Sequence, residues 1–146
     1  MKIRAILENK ARGVHRIAPD ATVLDAIQSM VGHNIGSLMV VDATGSVVGI
    51  VTERDCLREV AAQAGLKGHA VESITTRDIA IAELDDDLGQ VMDTMLEKQC
   101  RHVPVVDGGE LVGMISIRDV IGERLRESRT ELKFLRDYIS GHAGPG

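Results

Sequence analysis

Two short segments carry residue types able to bind or react. Thr52-Glu53-Arg54-Asp55 and Ser116-Ile117-Arg118-Asp119 each hold a hydroxyl, an arginine and, three residues after the hydroxyl, a carboxylate. Two chemistries use that spacing. In the plainer one, Thr or Ser caps a helix and the acid reaches back to close a capping box, although Glu or Gln is the usual partner. In the other, the hydroxyl and the bare N–H groups of a helix N-terminus receive an anion. Arg54 and Arg118 then add charge-assisted contacts to phosphate. Asp55 and Asp119, short for closing the box, accept from a ribose diol instead. One copy alone favours the cap. Two copies shift the balance toward binding, because a cap does not require the arginine.

The elements that position these groups are themselves repeated. Gly49–Asp55 recurs as Gly113–Asp119, 64 residues on. Leu38–Asp42 matches Val103–Asp107 at an offset of 65, so one residue is lost in the loop between the matched segments. A loop is where a deletion costs least. Val23, Ala26, Ile27, Met30 and Val31 have the spacing of an amphipathic helix, as do Leu88, Val91, Met92, Met95 and Leu96. Thr22 with Asp25, and Asp87 with Gln90, read as their capping boxes; the Gln makes the second the better match. Each unit predicts a short strand (His15–Ala18 or Ile79–Ala82), a helix, a β-rich run, a turn at Asp42–Ser46 or Asp107–Glu110, and a second strand (Val47–Val51 or Leu111–Ile115). A helix starting near Glu53 or Ile117 closes it. A unit of this size has a thin core, and two packed together solve that. The expected organisation is a first repeat with an N-terminal lead-in at 1–64, a linker at 65–77, and a second repeat at 78–125. A C-terminal helix and tail follow at 126–146. In that last helix Leu125, Leu132, Leu135 and Ile139 form a narrow apolar stripe, and Gly141 is the expected stop.

Composition narrows the function. Seventeen basic against 22 acidic residues leave a net charge of −5, which argues against tracking nucleic-acid phosphates. There is no Trp, and Phe134 and Tyr138 are the only large aromatics, so stacking platforms for single strands are missing. No apolar run reaches a membrane span, and Met1–Lys10 does not resemble a signal peptide. No membrane association is expected, and the expected compartment is the cytoplasm. Cys56 and Cys100 have neither disulfide nor zinc spacing and read as buried free thiols.

These motifs in order resemble a tandem pair of CBS domains, a Bateman module, over about Ala5 to Leu125. The resemblance rests on the duplicated Gly49–Asp55 and Gly113–Asp119 pattern. It rests also on Asp20-Ala21-Thr22-Val23 and on the strand motifs Ile35–Asp42 and Arg101–Asp107. It implies an α/β (α+β) fold of two β-α-β-β-α repeats packed as a pseudo-two-fold module, plus a C-terminal helix. It further implies adenosine-containing ligands (AMP, ADP, ATP or NAD(H)) in the clefts between repeats, with no metal required. Thr52 and Asp55 would serve one cleft, Ser116 and Asp119 the other. Backbone near Ile17, Ala18 and Ser37 would read the first adenine; that near Ala82, His102 and Val103 would read the second. Leu135–Gly141 also resembles small stand-alone bacterial members. Ser73-Ile74-Thr75-Thr76 departs from a Met-Thr pair common in the family, away from the clefts.

Other residues read more plainly. His102 is a cleft hydrogen bonder rather than a metal ligand, since nothing has ligand spacing to it. Arg101 either reaches a phosphate across the interface or lies solvated. His15, His33, His69 and His142 read as solvated. Asp85-Asp86-Asp87 lacks the order of a calcium loop. No nucleophile–base–orienter set is visible, so an enzyme ranks last. A ligand-free scaffold acting on a separate effector protein is the alternative to a nucleotide sensor. The helix faces Val23–Val31 and Arg54–Ala62 and their repeats supply more apolar surface than one small core needs, and the resemblance implies flat two-module disks. A homodimer is therefore expected.

Overall fold

A computed structural model describes residues 1–9, 13–62 and 69–143. The fold is mixed α/β. Its elements are α1 (Ile3–Glu8), β1 (Arg16–Ile17), α2 (Val23–His33), β2 (Ser37–Val41), β3 (Val47–Thr52) and α3 (Glu53–Ala62), then a 3₁₀ turn at Val71–Ile74. The second half holds β4 (Ala82–Glu83), α4 (Leu88–Lys98), β5 (His102–Asp107), β6 (Glu110–Ser116) and α5 (Ile117–Ala143). Two three-stranded sheets form, ordered β1-β2-β3 and β4-β5-β6. In each, the first pair is parallel and the second antiparallel. The start of the expected linker, 65–68, lies outside the described residues.

The duplication extends to the fine structure. Val40 faces Gly49 while Val41 faces Val47, and Val105 faces Gly113 while Val106 faces Leu111. Each repeat thus carries the same bulge, which twists the hairpin. The missing loop residue tightens the second turn: Gly108 and Gly109 take φ of +59° and +86°, which glycine adopts without a Cβ penalty. The first strand of the second repeat begins later than its sequence predicts. Ala82 rather than Ile79 starts the pairing, because Ala82 opposite Val105 is the equivalent of Ile17 opposite Val40.

Helices α2 and α4 bury Val23, Ala26 and Met30, and Leu88, Val91 and Met95. Both stop at a left-handed residue, Asn34 and Gln99. Their caps reverse the expectation from sequence. Thr22 and Asp25 close a complete box, while Asp87 makes no side-chain cap and its carboxylate instead takes the Met1 amine at 3.3 Å. A nearby cation competes better for a carboxylate than a neutral amide does.

Each repeat finishes its core with a segment from elsewhere. The lead-in, grouped with the first repeat by order in the chain, packs on the second: Ile3 and Ile6 lie among Leu88, Val91, Val105 and Ile115. Val71 and Ile74 fill the same role in the first repeat, beside Val23, Leu38 and Val51. The backbone bonds match too, Ile3 N–H to the Asp86 carbonyl at 3.0 Å and Val71 N–H to the Ala21 carbonyl at 2.7 Å. At Gly49 the approach is close enough to require glycine, whereas at Gly113 it is tight against a side chain that can turn aside. A Cβ on Gly49 would stand 2.2 Å from the Thr76 carbonyl oxygen, and one on Gly113 would stand 2.8 Å from the Leu7 side chain.

A third cluster joins the sheets: Met39, Val41 and Leu111, with Val47, Ile50 and Met114 packed against them. Arg16 donates across it to the Leu111 carbonyl at 3.1 Å. Finally, α5 is one helix of 27 residues. It merges the expected closing and C-terminal helices and runs through Gly141 to Ala143, since one helical glycine costs only about 1 kcal/mol.

Candidate functional site

Strand register gathers part of each expected set. Ser37 lies opposite Thr52, and His102 opposite Ser116, so each hydroxyl ends a β-hairpin where a helix begins. The chain turns straight into α3 and α5 there, with the first helical amides tied back: Glu53 N–H to the Gly36 carbonyl, and Ile117 N–H to the Arg101 carbonyl at 2.8 Å. Asp55 and Asp119, two residues inside those helices, are half-buried, whereas Arg54, Arg118, Arg101 and His102 are exposed.

Asp is not too short to close the box. Thr52 N–H and Oγ1–H both donate to Asp55 Oδ2 at 2.9 Å, and Asp55 N–H returns to Thr52 Oγ1 at 3.3 Å. Ser116 N–H donates to Asp119 Oδ2 at 2.8 Å, with Asp119 N–H returning to Ser116 Oγ at 3.1 Å. Thr22 and Asp25 make the same reciprocal pair at 3.0 Å. The cap is therefore real. In all three boxes Oδ2 accepts from the backbone N–H of the capping residue, which fixes the direction of the carboxylate.

Other expected members lie apart. Ile17 pairs with Val40, three residues along β2 from Ser37, which is about 10 Å of strand. Ala82 and Val103, both buried, line a hollow of about 220 Å³ with Ile81, Gln90 and Thr94. Arg118 and Asp119 line a separate one of about 150 Å³, bordered by Ile6 and Asn9 of the lead-in region. A larger groove of about 400 Å³ runs between α2 and α3 past Ile27, Met30, Leu57 and Val60, and contains none of the expected site residues.

The remaining candidates are placed as follows. Cys56 is buried and Cys100 half-buried, both as free thiols. Burial, then the neighbouring Asp55 charge, pushes the Cys56 thiol up. Two of the histidines read as solvated are in contact: the His15 and His33 rings lie tilted at 32° with centroids 4.1 Å apart. His69 pairs with Glu59 at 3.2 Å. Among the described residues no group of three or more His, Cys, Asp or Glu is placed to hold a metal ion. No described helix is long and apolar enough to cross a membrane. The lead-in's share in one hollow was missed from sequence. Its signal was a third repeat, Ile3-x-x-Ile6-Leu7 against Val71-x-x-Ile74-Thr75, at an offset of 68.

The CBS-domain family model matches residues 10–62 and again 71–126. The chain belongs to the CBS-domain family. This CBS pair is 36% identical over 127 residues to a mitochondrial CBS domain-containing protein of Arabidopsis thaliana, covering 84% of this chain and 62% of that one. The chain thus spans less than two thirds of the curated relatives it matches first. Among solved structures, a CBS-domain protein from Agrobacterium tumefaciens aligns with a TM-score of 0.75 at 35% identity, over 85% of this chain and 99% of that one. A CBS domain pair solved with 5′-methylthioadenosine and S-adenosyl-L-methionine aligns with a TM-score of 0.71 at 25% identity, over 88% of this chain and 98% of that one.

Proposed function

We propose that this CBS pair is a regulatory module that binds adenosine-containing ligands, such as AMP, ADP, ATP or NAD(H), in the clefts between its repeats. The observation that carries the reading is the twofold Asp at a hairpin end, fixed through Oδ2 and half-buried. Asp55 and Asp119 would each hold a ribose diol. Thr52 and Ser116 would meet phosphate or ribose, and Arg54, Arg118 and Arg101 would neutralise phosphate. Backbone near Ile17, Ala18 and Ser37, and near Ala82, His102 and Val103, would read adenine. The solved pair that holds methylthioadenosine and S-adenosylmethionine supports the ligand class. No catalytic role is assigned to any residue.

The module acts as a homodimer through its helix faces. Val31 and Leu57 on one repeat and Leu96 and Ile121 on the other are all more than half exposed. Apolar faces on both halves of a small protein suit an interface. The cytoplasm remains the proposed compartment.

The test begins with absorbance. A protein with no Trp, one Tyr and one Phe has little of its own, so co-purifying nucleotide shows near 260 nm and mass spectrometry names it. A thermal-shift panel of AMP, ADP, ATP, NAD, NADH and S-adenosylmethionine should raise the midpoint for some members and not for GTP. Equal shifts with GTP would refute adenine reading. The closed boxes favour a second reading, a ligand-free scaffold working on an effector protein; it predicts no shift with any of them.

A further inference from the structure

We infer that the outer part of α5 pairs in parallel with α5 of a second copy as a two-stranded coiled coil, setting the second repeats face to face. The inference rests on the homodimer reading and adds its orientation. Helix α5 continues to Ala143, well past the end of the family match at residue 126. Along it Ile121, Leu125, Leu132, Leu135 and Ile139 are each at least 50% exposed. With Ser128 they follow a spacing of 4, 3, 4, 3, 4 residues. A period of 3.5 is the seam of a supercoiled helix pair, narrower than the stripe that faces a globular core. Ile121, which begins the seam, is one of the exposed residues assigned to the dimer faces, so the stripe continues one of those faces.

Flanking charge selects the occupant and the direction. In a parallel pair, each Glu131 meets Arg136 of the second copy, twice by symmetry. Arg124 would meet Arg129, but Arg124 is already neutralised by Glu127 at 3.1 Å in its own helix. An antiparallel pair stacking the same seam brings Arg129 against Arg129 and Glu131 against Glu131, which repel. The sequence of one helix thus complements a parallel copy of itself.

The test is sedimentation equilibrium on the full chain. Leu132→Asp/Leu135→Asp replaces two exposed residues, so circular dichroism and the melting profile of the repeats should hold while the dimer weakens at least roughly tenfold. Glu131→Arg and Arg136→Glu should each weaken it roughly three- to tenfold, and the double swap should restore it. Failure of the double swap to restore the dimer overturns the parallel pairing. If Leu132→Asp/Leu135→Asp dimerises like the parent while Leu57→Asp does not, the dimer reading stands and the coiled coil is overturned. A monomeric parent protein at micromolar concentration overturns both.

Discussion

On the proposed reading Asp55 and Asp119 do two jobs, capping a helix and holding a ribose, that substitution can separate. Each is a helix cap through Oδ2. Alanine removes the cap and the ligand contact together, so Asp55→Ala and Asp119→Ala should each lose about 0.5–2 kcal/mol of stability. Each should also lose about 10- to 100-fold in affinity for its own cleft. Asparagine keeps one amide oxygen for the Thr52 or Ser116 donors but turns the second atom into a donor. Asp55→Asn should therefore melt near the parent temperature yet bind weakly in calorimetric titration. Parent-like binding by the Asn variants would leave these acids as caps alone. Two other carboxylates contribute to the acid limb of stability. Asp25 is held below the usual range by the Thr22 backbone N–H and hydroxyl, and Asp42 by the Thr44 hydroxyl and the Ser46 backbone N–H. Lowered folded values mean that their contribution is present above the ordinary carboxylate range, about pH 4, and is lost as pH falls below it. At the other end, the raised Cys56 value means the unfolded chain gives up its proton first. Stability should fall above about pH 8.5, and less so in Cys56→Ala once its cavity cost is subtracted. Urea midpoints across pH check both limbs.

At the scale of elements, the exchanged lead-ins decide which residues are irreplaceable. Gly49 and Gly113 occupy matching positions, yet their neighbours differ. A Cβ at Gly49 strikes the backbone carbonyl of Thr76, which is itself bonded to the Ile50 N–H; at Gly113 it strikes the tip of Leu7. Backbone cannot step aside as a leucine rotamer can. Gly49→Ala should cost about 1–3 kcal/mol or more and Gly113→Ala about 1 or less, read from unfolding midpoints. Ile3 is completely buried in the second repeat's core. Ile3→Ala should cost about 2–5 kcal/mol and should loosen amide-exchange protection in β5 and β6 before β2 and β3.

For the molecule as a whole, binding couples to stability by mass action. A ligand at 100 times its dissociation constant adds about 2.7 kcal/mol. The cluster of Met39, Val41 and Leu111 ties the two sheets together, with an Arg16 hydrogen bond across it. Filling one cleft should therefore protect amides in both repeats. Hydrogen exchange with and without AMP tests this; protection confined to one repeat would show that the repeats act independently.

Much of this was legible in the residues. Repetition at offsets of 64 and 65 disclosed two units, and the local periods of 3.6 and 2 assigned their helices and strands, because both are properties of neighbouring residues. Which acid closes a box was not legible. Asp87 abandons its cap for the Met1 amine, a group 86 residues away. The start of β4 was misplaced because pairing to β5, not the Ile79–Ile81 run, sets it. Nor could order along the chain show that residues 3–6 complete the second repeat and 71–74 the first. Burial is settled by whichever apolar segment best fills a gap, and that depends on shape in three dimensions. The hydroxyls and acids were named from spacing alone; the arrangement that fixes each acid through Oδ2 belongs to the folded hairpin ends.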